Sequence, residues 1–181
     1  MHVRIRGALA IAVTGALAVA GTAAVAGGAK QVHGWLNGYE EVPAVSTAAG
    51  GTFQASVSPS RDGLAYKLTY SGLEGDVQQA HIHFGQRAVN GAISVFLCSN
   101  LGNGPPGTQA CPAPPATVHG TIRAADVIGP AAQGIAPGEL EELVRAIKAG
   151  ATYANVHSSK FPGGEIRSKL HVSGRGDHGD E

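Results

Sequence analysis

The possible folds of this chain are limited most by a series of short alternating segments separated by turn sequences. Apolar and polar residues alternate from Thr52 to Ser58 and from Leu64 to Tyr70, with the turn-forming residues 60–63 between them. A period of two is typical of strands with one buried face, so this pair predicts a β-hairpin. Further strand-like segments recur along the chain at 32–36, 80–84, 93–98, 117–122, 152–157 and 165–172.

A single segment has helical rather than strand periodicity. Its apolar residues recur at positions i, i+3, i+4 and i+7, namely Leu140, Leu143, Val144 and Ile147. Pro137 precedes this segment and Gly150 follows it, as at the two ends of a helix. The sequence therefore predicts a mainly β fold, an antiparallel β-sandwich or barrel with one short helix near 138–149 and an irregular connection over 126–137.

The first 26 residues have the composition of an export signal. Arg4 and Arg6 precede an apolar run from Ala8 to about Ala26, which ends in the small residues of an Ala-x-Ala cleavage site. A retained membrane anchor is the alternative, but the run is rich in Ala and Gly and has few strongly apolar residues. We therefore expect a secreted or cell-envelope protein with no membrane span after signal removal.

Signal removal leaves 155 of the 181 residues, enough for one domain with its own core. Loss of Arg4 and Arg6 reduces 13 basic residues to 11, against 13 acidic residues, so the net charge becomes −2. This balance, without a basic patch, argues against a nucleic-acid partner. The expected partner is an extracellular or envelope protein or a small ligand. The predicted division is a signal peptide over 1–26, a β domain over 27–172 and a disordered polar tail over 173–181.

The two cysteines of the chain, Cys98 and Cys111, are expected to form a disulfide bond, because the protein is predicted to be exported. The loop between them is rich in Gly and Pro and has almost nothing to bury. In the chain-entropy model, closing a loop of this length stabilises the fold by about 3 kcal/mol. A reactive thiol pair is the alternative, but the spacing is not Cys-x-x-Cys and no charge lies nearby in the sequence.

The segment 80–84 contains the main candidate for chemistry. In a strand its apolar residues share one face, and His81 and His83 lie on the other face, about 7 Å apart at the backbone. Two imidazoles placed in this way can bind one ion, and imidazole suits copper and zinc. His157 is a third candidate ligand if the strand over 152–157 pairs with this one.

The alternative to a metal site is a hydrogen-bonded polar cluster. Tyr153, Asn155 and His157 share a face of one predicted strand, and Glu165 and Arg167 share a face of the next. In this interpretation Glu165 and Arg167 form a charge-assisted pair, and the histidines bond to backbone groups or hydroxyls. A histidine site open to water would favour the metal, whereas histidines buried against Tyr, Asn and Arg hydrogen bonds would favour the polar cluster.

Signals for other chemistry are absent from the sequence. The remaining histidines of the predicted domain and tail are scattered and are interpreted as surface or structural residues: His33, His119, His171 and His178. No Ser, Cys or carboxylate lies in a recognisable nucleophile motif, and there is no Walker or dinucleotide-binding fingerprint. We therefore predict no catalytic residue, and copper or zinc is the one cofactor that the residues suggest.

Four motifs, taken in order, resemble one family of extracellular domains. They are Gly38–Val45 (GYEEVPAV), Ala80–Gly85 (AHIHFG) with Asn90-Gly91 after it, Ala149–His157 (AGATYANVH) and Phe161–Arg167 (FPGGEIR). Together they resemble the CHRD domain, first named from chordin, and the resemblance extends from about Gly34 to Leu170. Among the polar residues of these motifs we expect a structural polar cluster of Glu41, Tyr153, Asn155, Glu165 and Arg167.

The resemblance implies a β-sandwich or barrel of immunoglobulin-like or superoxide-dismutase-like character, but no settled activity. In chordin such repeats belong to an extracellular protein that binds growth factors. Two positions depart from the family pattern. The loop 98–111 resembles an insertion, and Ser168 replaces a glycine, which predicts less room for close backbone packing at that position.

Two functional hypotheses follow. The leading one is a non-enzymatic, exported module that binds a partner or belongs to the envelope, because the chain has family motifs but no nucleophile motif. The alternative is a protein that binds copper or zinc through His81, His83 and His157, with a capacity for redox chemistry.

The predicted signal can be tested on protein secreted by an expressing cell. We expect the residues before about Gly27 to be removed, so that the intact mass of the secreted protein corresponds to a first residue near Gly27 or Gly28. Secreted protein that still begins with Met1 would contradict the prediction.

Overall fold

The structure, a computed structural model, describes residues 31–58, 60 and 62–173. The predicted signal peptide over 1–26 lies outside these residues, as does the predicted tail from 174 onward. Ser173 was expected to begin that tail. It is instead the last residue of a strand, because the chain continues to pair with the first strand of the sheet at this point.

Nine strands, one α-helix and three short 3-10 turns make up the described part of the chain. The strands are β1 (Gln31–Asn37), β2 (Gly50–Val57), β3 (Leu64–Ser71), β4 (Val77–Phe84), β5 (Ala92–Ser99), β6 (Ala116–Ile122), β7 (Thr152–Ser158), β8 (Ile166–Lys169) and β9 (His171–Ser173). The helix is α1 (Leu140–Lys148), and the 3-10 turns are Gly38–Glu40, Ala124–Asp126 and Ala131–Gln133.

The strands form one antiparallel sheet in the order β5-β4-β7-β8-β1-β2-β3-β6, with β9 also paired to β1. This sheet is a nearly closed barrel. The predicted mainly β, antiparallel sandwich or barrel with one short helix is therefore confirmed. The predicted hairpin is also confirmed, since β2 and β3 pair in continuous register from Gly50↔Ser71 to Val57↔Leu64.

The core follows from the alternation of the strands. Phe53 lies opposite Leu68 on the neighbouring strand, and both are fully buried. The helix contributes its apolar side, because Leu143 and Ile147 are buried while the acidic residues of its first turn are not. Ile147 lines a small cavity that the helix shares with residues of four strands, among them Val32. Within the described residues, no helix has both the length and the apolar character needed to cross a membrane.

The gap between the edge strands β5 and β6 is bridged by side chains rather than by a strand ladder. The Gln109 amide nitrogen lies 3.2 Å from the Leu97 carbonyl oxygen of β5 and 3.1 Å from the His119 carbonyl oxygen of β6. The Tyr66 hydroxyl donates to the same Leu97 carbonyl at 2.9 Å. The Tyr66 ring lies directly over Gly120, where a Cβ would come within 2.6 Å of it. These contacts satisfy edge carbonyls that would otherwise lack a strand partner.

The loop that carries Gln109 is held by a disulfide bond between Cys98 and Cys111, so the predicted pairing is confirmed. Cys98 lies in β5 and is fully buried, and Cys111 is also buried. Asn100 joins the two ends of the loop, since it accepts from the Cys111 nitrogen at 2.9 Å and donates to the Cys111 carbonyl at 3.0 Å. The cross-link therefore fixes the loop beside the gap that Gln109 bridges.

The predicted single strand over 165–172 is interrupted. Glu165 precedes β8, and the buried Leu170 separates β8 from β9. Ser168 was expected to leave less room for close packing of the backbones, and a glycine on the neighbouring strand β1 provides that room. A Cβ at Gly34 of β1 would lie 2.9 Å from the Ser168 hydroxyl and 3.2 Å from the Lys169 carbonyl, so the missing side chain at Gly34 provides the space for close approach.

The disulfide should stabilise the barrel by limiting the unfolded chain. Thiol labelling of denatured, unreduced protein should detect no free cysteine, and reduction should lower the free energy of unfolding by about 3 kcal/mol, measured by urea denaturation. A Cys98→Ser/Cys111→Ser variant provides the control, since reduction should not change its stability further. Substantial labelling before reduction, or equal stability of both forms, would contradict the prediction.

Candidate metal centre

The three candidate histidines lie on two neighbouring strands. β4 pairs with β7 in a register that sets His81 opposite Asn155, His83 opposite Tyr153 and Gln79 opposite His157. Side chains that are directly or diagonally opposite on one face of an antiparallel pair can contact each other. The pairing of β4 with β7, which the sequence analysis made a condition for the site, is therefore present. It brings His157 to the same face as His81 and His83.

One ligand atom from each imidazole lies within 4.8 Å of the other two. The closest approach is 3.2 Å, between His81 Nδ1 and His157 Nε2. The ring centroid of His81 lies 5.3 Å from that of His83 and 4.9 Å from that of His157. The predicted convergence of the three side chains is thus observed.

The histidine face is buried, although it lies opposite the apolar face of β4. The exposed fractions of His81, His83 and His157 are 0%, 7% and 6%. Alternation along β4 places Ile82 in the apolar core, as expected from the sequence. The histidines therefore occupy a second, polar interior, and the site is not open to water.

Backbone carbonyls orient two of the three rings. His83 Nδ1 lies 2.9 Å from the Gly91 carbonyl oxygen, and His157 Nδ1 lies 3.0 Å from the Pro162 carbonyl oxygen. A carbonyl only accepts, so each Nδ1 carries the hydrogen and each Nε2 presents a lone pair. His157 Nε2 must then accept from His81 Nδ1. Among the described residues, His81 Nε2 and His83 Nε2 are buried without a hydrogen-bond partner.

Burial keeps these imidazoles neutral. Burial, with smaller contributions from the charges of His157 and His83, lowers the pKa of His81 to about 2. Burial also lowers the pKa of His83 to about 4, although its bond to the Gly91 carbonyl acts in the opposite direction. The pKa of His157 is lowered for the same reason. Neutral imidazole is the form that binds a metal ion, so no proton has to leave His81 or His83 above about pH 5.

Aromatic and cationic side chains surround the histidines. Phe96 packs edge-on against His81 with ring centroids 4.4 Å apart, and Tyr153 stacks on His83 at 4.7 Å with only 3° between the ring planes. The Arg167 guanidinium lies 3.3 Å over the Tyr153 ring and donates to the Val89 carbonyl at 2.8 Å. Arg167 therefore joins the stacked ring to the loop that supplies the Gly91 carbonyl.

A buried carboxylate lies beside this cluster. Burial raises the pKa of Glu41 to about 7, while the charge of Arg167 and the amide of Asn155 lower it. A Cβ at Gly164 would lie 2.4 Å from a Glu41 carboxylate oxygen, and Gly164 has a φ of +128°, so glycine is required there both by space and by conformation. Glu41, Tyr153, Asn155 and Arg167 are buried near one another, and the structural role predicted for them stays a prediction.

The expected pair between Glu165 and Arg167 is wrong. Glu165 is fully buried and accepts from the Thr47 hydroxyl and from the Glu74 backbone nitrogen, both at 2.9 Å. The alternation that predicted the pair applies only within a strand, and Glu165 lies before β8, directly after the turn at Gly164. Glu165 therefore fixes the loops 47–49 and 72–76, whereas Arg167 fixes the loop 85–91.

The other histidines are not part of the cluster. His33, His119 and His171 lie elsewhere on the sheet, and His178 lies outside the described residues. Sequence reasoning missed the carbonyls of Gly91 and Pro162 as partners of the rings. Both lie in connections between strands, and a backbone acceptor has no side-chain signature.

Comparison with known proteins gives one match. A family model described as the CHRD domain matches residues 34–170. No curated protein and no solved structure matches the chain significantly.

Acid should destabilise the metal-free protein, because the unfolded chain binds protons that the buried histidines do not. The contributions of His81 and His83 are complete above about pH 6.5 and decrease as pH falls toward 4. Glu41 acts oppositely, since its raised pKa adds stability as pH falls from about 7 to 4.5. We expect a net loss of about 2 kcal/mol between pH 7 and pH 5, measured by urea unfolding with a chelator present.

A Glu41→Gln variant separates the two effects. It removes the opposing contribution, so its loss over the same pH interval should rise to about 4 kcal/mol. This assignment of protonation states would be contradicted if neither the unaltered protein nor the variant lost stability between pH 7 and pH 5.

Proposed function

The chain belongs to the CHRD domain family, and we propose that it is an exported, non-enzymatic binding module whose ligand is a transition-metal ion, copper or zinc, bound by His81, His83 and His157. Family membership supports a binding-type module. The identity of the ligand as a metal ion does not follow from the family and depends on the geometry of the three histidines.

One observation carries the proposal: three buried, neutral imidazoles converge while two of their nitrogens have no hydrogen-bond partner among the described residues. A buried polar atom without a partner costs about 1–3 kcal/mol. Other buried polar atoms of the described residues also have no partner, among them Glu41 Oε1 and Asn155 Oδ1, but the two histidine nitrogens belong to three side chains whose ligand atoms converge. A bound metal ion would provide a partner for the Nε2 atoms of both His81 and His83, and it would thereby offset the free-energy cost of burying them.

The donor set favours copper or zinc over harder ions. Three neutral nitrogens are poor ligands for magnesium and calcium, which prefer oxygen. With bonds of about 2.0–2.1 Å in a tetrahedral geometry, ligating nitrogens lie about 3.4 Å apart. The three histidine nitrogens lie within 4.8 Å of one another, so binding requires a contraction of up to about 1.4 Å through side-chain rotation. The Gly91 and Pro162 carbonyls hold the rings of His83 and His157 so that Nε2 carries the lone pair, as outer partners of metal-ligating histidines commonly do. On binding a metal, His157 Nε2 would have to give up the hydrogen bond that it accepts from His81 Nδ1.

Burial of the site supports a holding role rather than turnover. Sequence reasoning associated a metal with a site open to water, but these histidines are at most 7% exposed. A catalytic metal needs an open position for substrate, whereas a closed site retains its ion. The hydrogen bonds from His83 and His157 to backbone carbonyls are also those expected of a structural cluster, so the metal proposal depends on the unpartnered nitrogens of His81 and His83.

The proposed location outside the cell follows from two features. CHRD domains are extracellular, and the bond between Cys98 and Cys111 fits an oxidising environment. The export signal over 1–26 is part of this proposal and is tested by the mass of the secreted protein.

Calorimetric titration with Zn²⁺, and with Cu⁺ under reducing anaerobic conditions, tests the site. We expect the tightest binding event at pH 7.5 to involve one ion per chain, and this event to be lost in a His81→Ala/His83→Ala variant and weakened at least about tenfold in His157→Gln. His119→Ala is the matched control, because His119 is an exposed histidine of the same sheet and should leave this binding unchanged.

Two results would contradict the metal proposal. One is the absence of binding at micromolar protein, and the other is equal binding by the double variant that has been shown to fold by its unfolding midpoint. In either case the histidines are structural, and the module binds an extracellular or envelope partner through another surface.

A further inference from the structure

A second pair of histidines lies on the outer surface of the barrel, where β1 and β9 meet. His33 and His171 are directly paired across the two antiparallel strands. Their ring centroids are 5.9 Å apart, with an angle of 28° between the ring planes. The side chain of His171 is exposed and that of His33 is partly exposed, so both rings are accessible from solvent.

The strand register holds this pair together. His33 is fixed from one side by β2, opposite Gln54, and from the other side by β9. Directly opposite residues on one face have Cβ atoms about 4.5–5.5 Å apart, so the backbone holds the two imidazoles within reach of each other. A second ligand held beside the first acts at a high effective concentration, which is the basis of chelation.

From this arrangement we infer that His33 and His171 form a surface site for a divalent transition-metal ion such as Cu²⁺ or Zn²⁺, separate from the buried histidines. Metal–imidazole bonds of about 2.0–2.1 Å place the centroids of two ligating rings about 4.5–6 Å apart, a range that includes the observed separation. With two protein ligands, the remaining positions on the ion are open to water or to an external ligand. The site is therefore exchangeable, in contrast to the closed site.

Trp35 provides a local reporter. Its ring packs edge-on against His33 with centroids 4.9 Å apart, and its side chain is 66% exposed. It is the only tryptophan of the chain. A paramagnetic Cu²⁺ ion bound at His33 would lie close to this indole and quench its fluorescence. Without a metal, the same three rings would form only a cross-strand aromatic cluster that stabilises the β1–β9 pairing.

The experiment is a Cu²⁺ titration of the tag-free, mature protein at pH 7.5, followed by Trp35 fluorescence. We expect saturable quenching that excess Zn²⁺ reverses by competition. In His33→Gln and in His171→Gln, the concentration for half-quenching should rise at least about tenfold, because each variant leaves one ligand. Unfolding midpoints of both variants should confirm that the sheet is intact, and either variant alone suffices if the other is unstable.

Two controls distinguish this site from others. His119→Gln removes an exposed histidine on β6 and should quench like the unaltered protein. His81→Ala/His83→Ala removes the proposed buried site and should also retain the quenching, so the two proposals fail or succeed independently. The inference is overturned if the unaltered protein shows no quenching, if both single variants quench normally, or if quenching disappears only in the double variant.

Discussion

The pairing of β4 with β7 is the interaction on which both the barrel and the histidine cluster depend. It sets Ile82 opposite Ala154 toward the apolar core and His81 opposite Asn155 on the other face. A slip of one residue would exchange these faces, placing the imidazoles among the aliphatic side chains of the core and the aliphatic residues in the polar interior. The same alternation that builds the core thus fixes where the three histidines converge. A change of register between β4 and β7 would alter both the core packing and the positions of the histidines.

The polar face of this pairing becomes an interior because loops cover it. Arg167 holds the loop 85–91, whose Gly91 carbonyl bonds to His83, and the turn before β8 supplies the Pro162 carbonyl to His157. The barrel therefore has an apolar interior that drives folding by burial and a polar interior that constrains geometry. Burial of the histidine nitrogens in the polar interior costs free energy unless they have partners. A bound metal ion would remove this cost, which is why the fold supports the proposed site.

Sequence periodicity predicted those parts of the structure that depend on neighbours along the chain. The hairpin of β2 and β3, the helix α1 and the two faces of β4 all follow from local patterns, whereas the disulfide was predicted from the expected export of a chain with two cysteines. Burial of the histidines could not be predicted, because it depends on loops that approach from distant positions in the sequence. The partner of Glu165 was predicted wrongly because alternation was extended past Gly164, where the chain is not a strand.

The most direct test of the buried site is a crystal structure of the metal-loaded protein, with anomalous diffraction recorded on both sides of the zinc or copper absorption edge. The account predicts one anomalous peak about 2.0–2.1 Å from a nitrogen of each of His81, His83 and His157, with the Gly91 and Pro162 carbonyls still bonded to their rings. A fully loaded crystal whose only peak lies away from these three nitrogens would contradict it.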